Sequence, residues 1–221
     1  ALAWDESAQI FLTGNTGGEL KITPTDIKKT SAIITERKIR LYIHSPYSIN
    51  LCRKEGSDNP KGKKYKTHNP VKILVEQIEC AKKLLVKGVV VHCGNKCGMK
   101  EAEYVGNMRD NVIESAKTAT PDCKLLIETG SGTEALSDIN KLFEFYQSLP
   151  EETKAVTRLC VDTCHVFAAG HDPLEYIQNA LFRENLVKLI HFNDSLEECG
   201  ACKDRHAKVG QGHIGFAKMQ E

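Results

Sequence analysis

A chain of 221 residues and 24.6 kDa, 41% hydrophobic and 27% charged, can bury one sizeable core, which excludes a disordered, collagenous or low-complexity chain and predicts a single domain over residues 1–221. The net charge of +1 names no partner, but Arg53 to Lys72 carries seven Lys or Arg against two acids, a local +5 on a body of −4. No apolar run approaches the roughly 18 residues that cross a bilayer, ALAWDESAQI lacks the pattern of a signal peptide, and nine cysteines cannot all pair, so an intracellular protein with free thiols and no membrane contact is expected.

In chain order, AQIFLTGN is the first candidate strand, and Pro24 opens a helix over 25–38. KIRLYIH is a strand ending at His44. After Pro70, residues Val71, Leu74, Val75, Ile78, Ala81, Leu84 and Leu85 recur every three or four positions and paint one helical face. KGVVVH ends at His92, and Val105, Met108, Val112 and Ile113 predict a helix over 101–119. KLLIE ends at Glu128, and Leu136, Ile139, Leu142, Phe143 and Tyr146 predict a helix over 134–149 that stops at Pro150. RLCVD ends at Asp162, Asp172-Pro173 starts a helix running through Leu174, Ile177 and Leu181, and KLIH ends at His191.

Five short, β-branched runs, each led by Lys or Arg and closed by His or an acid, are buried parallel strands. Their terminal residues lie 48, 36, 34 and 29 positions apart, the rhythm of a (β/α)8 TIM barrel or of a doubly wound open sheet. All five offer ligand-type residues at the same end. A barrel points such ends at one centre whereas an open sheet spreads them along an edge, so the barrel is the prediction.

The five terminal residues are joined by His165, three after Asp162, and by Asp204 and His206 in DRH, which project to one side of an extended loop. Any one of these eight would more often be a hydrogen-bonded loop residue than a ligand. Eight at one end of a sheet are not independent accidents, and burying them without a cation would cost several kcal/mol per charge. Imidazoles mixed with carboxylates suit zinc or a similar divalent metal, and eight donors support two or three ions. A centre of that charge attracts an anion and clamps both oxygens of a phosphodiester, so phosphoryl hydrolysis is the expected reaction class.

LYIHSPYSINL, VVVHCG, LLIETGSG, LCVDTCHVFAAGHD, LIHFND and DRHAKVGQGHIG together resemble the endonuclease IV family of apurinic/apyrimidinic endonucleases, over most of the chain. The resemblance implies a TIM barrel with three zinc ions that acts as a monomer on double-stranded DNA in base-excision repair. It would cleave 5′ to an abasic site and leave a 3′-hydroxyl. Position by position, it implies His44 and His92 as ligands of a first zinc, and Glu128, the catalytic carboxylate, as the bridge from first to second. Asp162 and His191 go with the second zinc, and His165, Asp204 and His206 with the third.

Tyr47 occupies the place of an aromatic that enters the DNA, but Ser48 stands where the family has a bulky apolar wedge, and Gly17 or Gly18 where it often has an arginine. The basic stretch after Tyr47, with Lys61, Lys63, Lys64 and Lys66, is expected to bind DNA in their stead; its plainer reading is a solvated linker. The pairs Cys93/Cys97 and Cys199/Cys202 could form a separate zinc site or a disulfide, with free thiols the default. His68 and His171 read as surface residues, His213 as a loop residue or one facing substrate, and Gly130 to Gly132 as a tight turn. Two rival functions share these features: a metal-dependent sugar isomerase or epimerase on the same barrel, and a protein that binds damaged DNA without cleaving it. The ninth family ligand, a glutamate ending the eighth strand, has no counterpart after His206, and AQIFLTGN matches the second strand rather than the first. The chain is therefore expected to be an excerpt that lacks its first and last strands, incomplete at both ends.

Overall fold

The computed structural model describes residues 6–54, 69–182 and 186–221. In chain order it runs β1 (Ser7–Phe11), α1 (Pro24–Arg37), β2 (Arg40–His44), α2 (Pro70–Lys83), β3 (Gly88–His92), α3 (Glu101–Ala116), β4 (Lys124–Glu128) and α4 (Ile139–Gln147). It continues with α5 (Glu151–Val156), β5 (Thr157–Asp162), α6 (Thr163–Ala168), α7 (Pro173–Phe182), β6 (Val187–His191), β7 (Asp194–Ser195), β8 (His206–Ala207) and α8 (Phe216–Met219). Strands β1 to β6 pair in serial order, every pair parallel, while β7 and β8 form a separate antiparallel pair. Serial parallel order with helical crossovers is the topology of a (β/α)8 barrel, here incomplete, with six strands in the sheet among the described residues.

The pleat divides each strand between two layers. Leu41, Ile43, Val89, Val91, Leu125, Ile127 and Leu159 point outward into the main core, where they meet Leu74, Ile78, Met108 and Leu142 of α2, α3 and α4. The alternate residues Tyr42, Val90, Leu126, Cys160 and Leu189 point inward and pack on one another as an apolar floor. Two residues further along each strand, on the same inward face, stand His44, His92, Glu128, Asp162 and His191. The register places His92 opposite Glu128 and Asp162 opposite His191, while His44 pairs with Val90 and Glu128 with Cys160, a two-residue stagger at those two seams.

The helices begin where the chemistry of their first residues dictates. Thr23 and Asp26 form a capping box ahead of α1, and Asn69 caps α2 through Lys72 N at 2.9 Å, each followed by proline at the first helical position. The helix expected over 134–149 starts instead at Ile139, because Asp138 accepts hydrogen bonds from the backbone of Asn140 and Lys141. Residues 134–138 form a turn in which Leu136 has φ 57°. The helix expected to reach Ala119 closes at Ala116. Short helices α5 and α6 were not anticipated, since six residues are too few to show a helical period.

Candidate metal centre

Glu128 ends β4 at 2% exposure, with an imidazole on almost every side. Its Oε2 lies 3.0 Å from His44 Nε2 and 3.2 Å from His92 Nε2, while Oε1 lies 2.9 Å from His191 Nδ1 and 3.6 Å from His165 Nδ1. Asp162, fully buried at the end of β5, stands 3.6 Å from both His191 Nδ1 and His206 Nε2. Asp162 also caps α6 by accepting from the backbone of His165 at 3.1 Å, and that turn carries the His165 ring back over the strand ends. Asp204 completes the set, 3.2 Å from His165 Nε2 and 3.0 Å from His206 Nε2. All eight predicted donors converge at one end of the sheet.

The donors fall into overlapping groups whose ligand atoms lie within 4.8 Å of one another: His44, His92 and Glu128; Glu128, Cys160 and His191; Asp162, His165 and His206; and Cys164, Asp204 and His206. Burial pushes the thiol of Cys160 up to about 12 and that of Cys164 to about 11, so the imidazoles and carboxylates are the readier donors.

Without a cation, these groups hold together only as ion pairs. Burial would raise the Glu128 carboxyl, but hydrogen bonds from His191 and His44 and the charge of His92 outweigh it and hold it well below the usual range. Burial would lower the His165 imidazole, yet Asp204, Asp162 and Glu128 raise it to about 10. His191 is driven far up in the same way, against burial, by Asp162, Cys160 and Glu128. Hydrogen bonds from His165 and His206 hold Asp204 well below an ordinary aspartate. The nitrogen–oxygen contacts of 2.9 to 3.2 Å among these groups bring several donor atoms together where one divalent ion could take them in place of the ion pairs. The donor set therefore fits a zinc-type metal.

Tyr47 is 54% exposed at the rim, its ring edge-on to His44 at 5.1 Å and to His92 at 5.4 Å, with Phe11 5.5 Å away. Ser48 and Gly17 meet beside it, since a Cβ on Gly17 would come within 3.3 Å of Ser48 Oγ. Lys61, Lys63, Lys64, Lys66 and His68 lie outside the described residues. His171 packs on Tyr176 at 5.8 Å, and exposed His213 is held by its backbone N–H on Ser195 O at 2.7 Å. The nine cysteines are free thiols, which removes the disulfide alternative for the C-x3-C and C-x2-C pairs.

The structure adds residues that sequence reasoning missed. Asn193 donates to Asp162 Oδ2 at 2.7 Å, Gln9 meets His191 Nε2 at 3.0 Å, and Glu134 lies 3.4 Å from His92 Nδ1. Asp194, the last residue of LIHFND, accepts from the backbone of Ser195, Gly212 and Ile214 at 2.8, 2.9 and 3.0 Å, and so fastens GQGHIG beside the centre. Only glycine fits at 212, where a Cβ would lie 2.2 Å from Ser195 O.

A family profile described as xylose isomerase-like TIM barrel matches residues 6–221. A probable endonuclease 4 from Streptomyces avermitilis is 30% identical over 95% of this chain and 69% of its own. The crystal structure of endonuclease IV from Thermus thermophilus superposes with a TM-score of 0.75 at 24% identity, over 95% of this chain and 74% of that one. A D-tagatose 3-epimerase-like protein superposes with a TM-score of 0.72 at 20% identity, over 97% and 76% of the two chains.

Proposed function

The chain belongs to the endonuclease IV family of xylose isomerase-like TIM barrels, and from that membership and the geometry of its strand ends we propose that it is a zinc-dependent apurinic/apyrimidinic endonuclease of base-excision repair. It acts as a monomer on double-stranded DNA, hydrolysing the phosphodiester 5′ to an abasic site to leave a 3′-hydroxyl. The observation that carries this reading is the sharing of Glu128: four imidazoles from four separate segments surround one buried carboxylate, as a bridging ligand requires.

We assign His44, His92 and Glu128 to a first zinc, Glu128, Asp162 and His191 to a second, and His165, Asp204 and His206 to a third; the first set is itself one of the donor groups, and the contacts of His191 with Glu128 and Asp162 and of Asp204 with His165 and His206 support the other two. When bound, divalent ions there supply Lewis-acid polarisation of the phosphoryl group and acidify water. The chain's own part is positional. Glu128 fixes the spacing of its imidazoles from below, and the floor of Tyr42, Val90, Leu126 and Cys160 keeps water out beneath them. The backbone of His165 and the side chain of Asn193 each hold one oxygen of Asp162, so this carboxylate is fixed in orientation beside His191 and His206. Tyr47 presents an exposed ring at the rim for the nucleotide that flanks the lesion, and the basic stretch supplies cations for the phosphate backbone.

The epimerase-like superposition keeps a second reading in view, a metal-dependent sugar epimerase or isomerase. The imidazole-rich donor set favours the nuclease. The deciding experiment incubates zinc-loaded protein with a duplex carrying a labelled tetrahydrofuran lesion, beside a ketose/aldose interconversion assay. Cleavage 5′ to the lesion with a 3′-hydroxyl product supports the nuclease. Sugar interconversion without cleavage, or a damage-specific gel shift without cleavage in added zinc, defeats it.

A further inference from the structure

The imidazoles of this centre differ in what holds their second nitrogen. His44 Nδ1 meets the carbonyl of its neighbour Ser45 at 2.7 Å, and His165 Nδ1 meets the carbonyl of Thr129 at 2.9 Å. Main-chain carbonyls serve both rings, whatever side chains stand at those positions. His92 has a different partner. Its Nε2 faces Glu128, and its Nδ1 faces Glu134 Oε1, so one imidazole lies between two carboxylates.

The placement of Glu134 is built by the fold. Its Oε2 accepts from the backbone N–H of Ser131 at 2.6 Å and from the Ser131 hydroxyl at 3.1 Å, which leaves Oε1 to turn toward His92. The loop after β4 is tied to the loop after β3 by an antiparallel bridge between Asn95 and Glu134 and by Ala135 N donating to Gly94 O at 3.1 Å. The loop that follows the donor of one strand is thereby fastened to the loop of its neighbour. Packing at this point is tight, since a Cβ on Gly130 would approach Glu134 Cβ to 2.9 Å. The Glu134 side chain is 23% exposed, which keeps solvent from competing freely for the contact.

We propose that Glu134 is the positioning residue of His92. It accepts a hydrogen bond from Nδ1–H, fixes the tautomer that leaves Nε2 bare, and adds a negative charge that strengthens this nitrogen as a donor. Removing such a partner typically costs about 10- to 100-fold in metal affinity. This inference rests on the metal-centre reading above and adds to it a specific dependence of one ligand on one side chain.

The test uses the full chain loaded with zinc, comparing wild type, Glu134→Ala and Glu134→Gln. Zinc content and its rate of loss to a chelator are read alongside the ¹⁵N signals of selectively labelled histidines. The Nδ1–H resonance of His92 should be present and exchange-protected in wild type and lost in Glu134→Ala, with one zinc leaving about 10- to 100-fold faster than in wild type. Glu134→Gln keeps the volume that the Ser131 clamp surrounds but has one acceptor oxygen in place of two; with that oxygen on the Ser131 backbone N–H, its amide N–H group faces Nδ1, so the resonance should again be lost and zinc should leave faster than in wild type. A purely structural role for the loop would leave the tautomer signal unchanged. If Glu134→Ala folds and retains both the His92 signal and the wild-type rate of zinc loss, the positioning role is overturned while the centre stands. If Glu134→Ala does not fold, an Nδ1–H signal in Glu134→Gln identical to that of wild type together with an unchanged rate of zinc loss overturns it equally. A wild-type protein that takes up no zinc overturns the centre itself.

Discussion

Glu128 and His92 face one another at 3.2 Å, yet the two should fail differently. Glu128 meets four imidazoles, so its truncation unties most of the set, whereas His92 is one terminal donor. Glu128→Ala is expected to cut lesion cleavage to roughly 1% or less, with zinc content falling by more than one ion, while His92→Ala leaves several-fold more of both. Metal analysis with a single-turnover assay checks this, and near-normal turnover of Glu128→Ala at unchanged metal content would remove Glu128 from its role. A second expectation concerns protons. In metal-free protein, His165 is raised from 6.5 to about 10, so its contribution to stability is complete below pH 6.5 and is lost as the pH rises toward 10. The carboxyls of Glu128 and Asp204 are held down, so theirs is present above their ordinary values of 4.5 and 3.8 and is lost in stronger acid. The Tm of the EDTA-treated protein should therefore fall between pH 6.5 and 10, and zinc, which takes the place of those protons, should abolish that fall. A flat alkaline limb in EDTA would contradict the assigned ion pairs.

At the scale of elements, the rim of the centre is held from behind by α3. Asn107 Nδ2 donates to Cys52 O at 3.0 Å, and Asn111 Nδ2 donates to Leu51 O at 2.8 Å and to Arg53 O at 3.0 Å. These bonds satisfy the carbonyls of the buried segment that follows Tyr47, where no strand or helix is present to do so. Asn111→Ala leaves two carbonyls without that donor and is expected to cost about 1–3 kcal/mol, seen as a lower urea midpoint at unchanged slope. Because the same segment seats Tyr47 over His44 and His92, the variant should also bind lesion DNA more weakly while its zinc content stays at the wild-type level. A midpoint equal to that of wild type would show that the asparagines anchor nothing.

At the scale of the molecule, the charge is divided: the stretch from Arg53 to Lys72 carries +5 and the remainder −4. Under the proposed function the remainder would repel DNA weakly, and the basic stretch, which follows Tyr47 in the sequence, would set the affinity while the strand ends supply the chemistry. Replacing Lys61, Lys63, Lys64 and Lys66 with neutral residues should weaken binding and flatten its salt dependence by up to about 0.9 log units per log salt for each DNA phosphate that is no longer neutralised. The single-turnover rate at saturating DNA should hardly change. A salt slope equal to that of wild type would return the stretch to a solvated linker.

Some of this molecule could be read directly from residue order. A buried β-branched run must be a strand, and a His or acid that closes it lies two residues beyond an inward apolar neighbour, as with Leu126 and Glu128 or Cys160 and Asp162. Periodicity likewise placed α2 and α7, because a 14-residue or 10-residue amphipathic helix shows its face several times over. Short or cap-driven features escaped the same reading. Six-residue α6 has no visible period, and its start depends on Asp162 accepting from His165 N. Residues 134–138 carry a helical pattern but are held as a turn by the bridge to Asn95 and the Ser131 clamp on Glu134, contacts made by residues distant along the chain or by loop geometry. The convergence of the five strand-end donors was foreseeable from local pattern, since parallel strands share one polarity, whereas His165 joins them through α6 and Asp204 and His206 through the segment leading into β8. Which nitrogen of each imidazole faces which oxygen was not foreseeable, since that follows from how the loops cross above the strands, where Glu134 meets His92 and Gln9 meets His191 across 182 residues of chain.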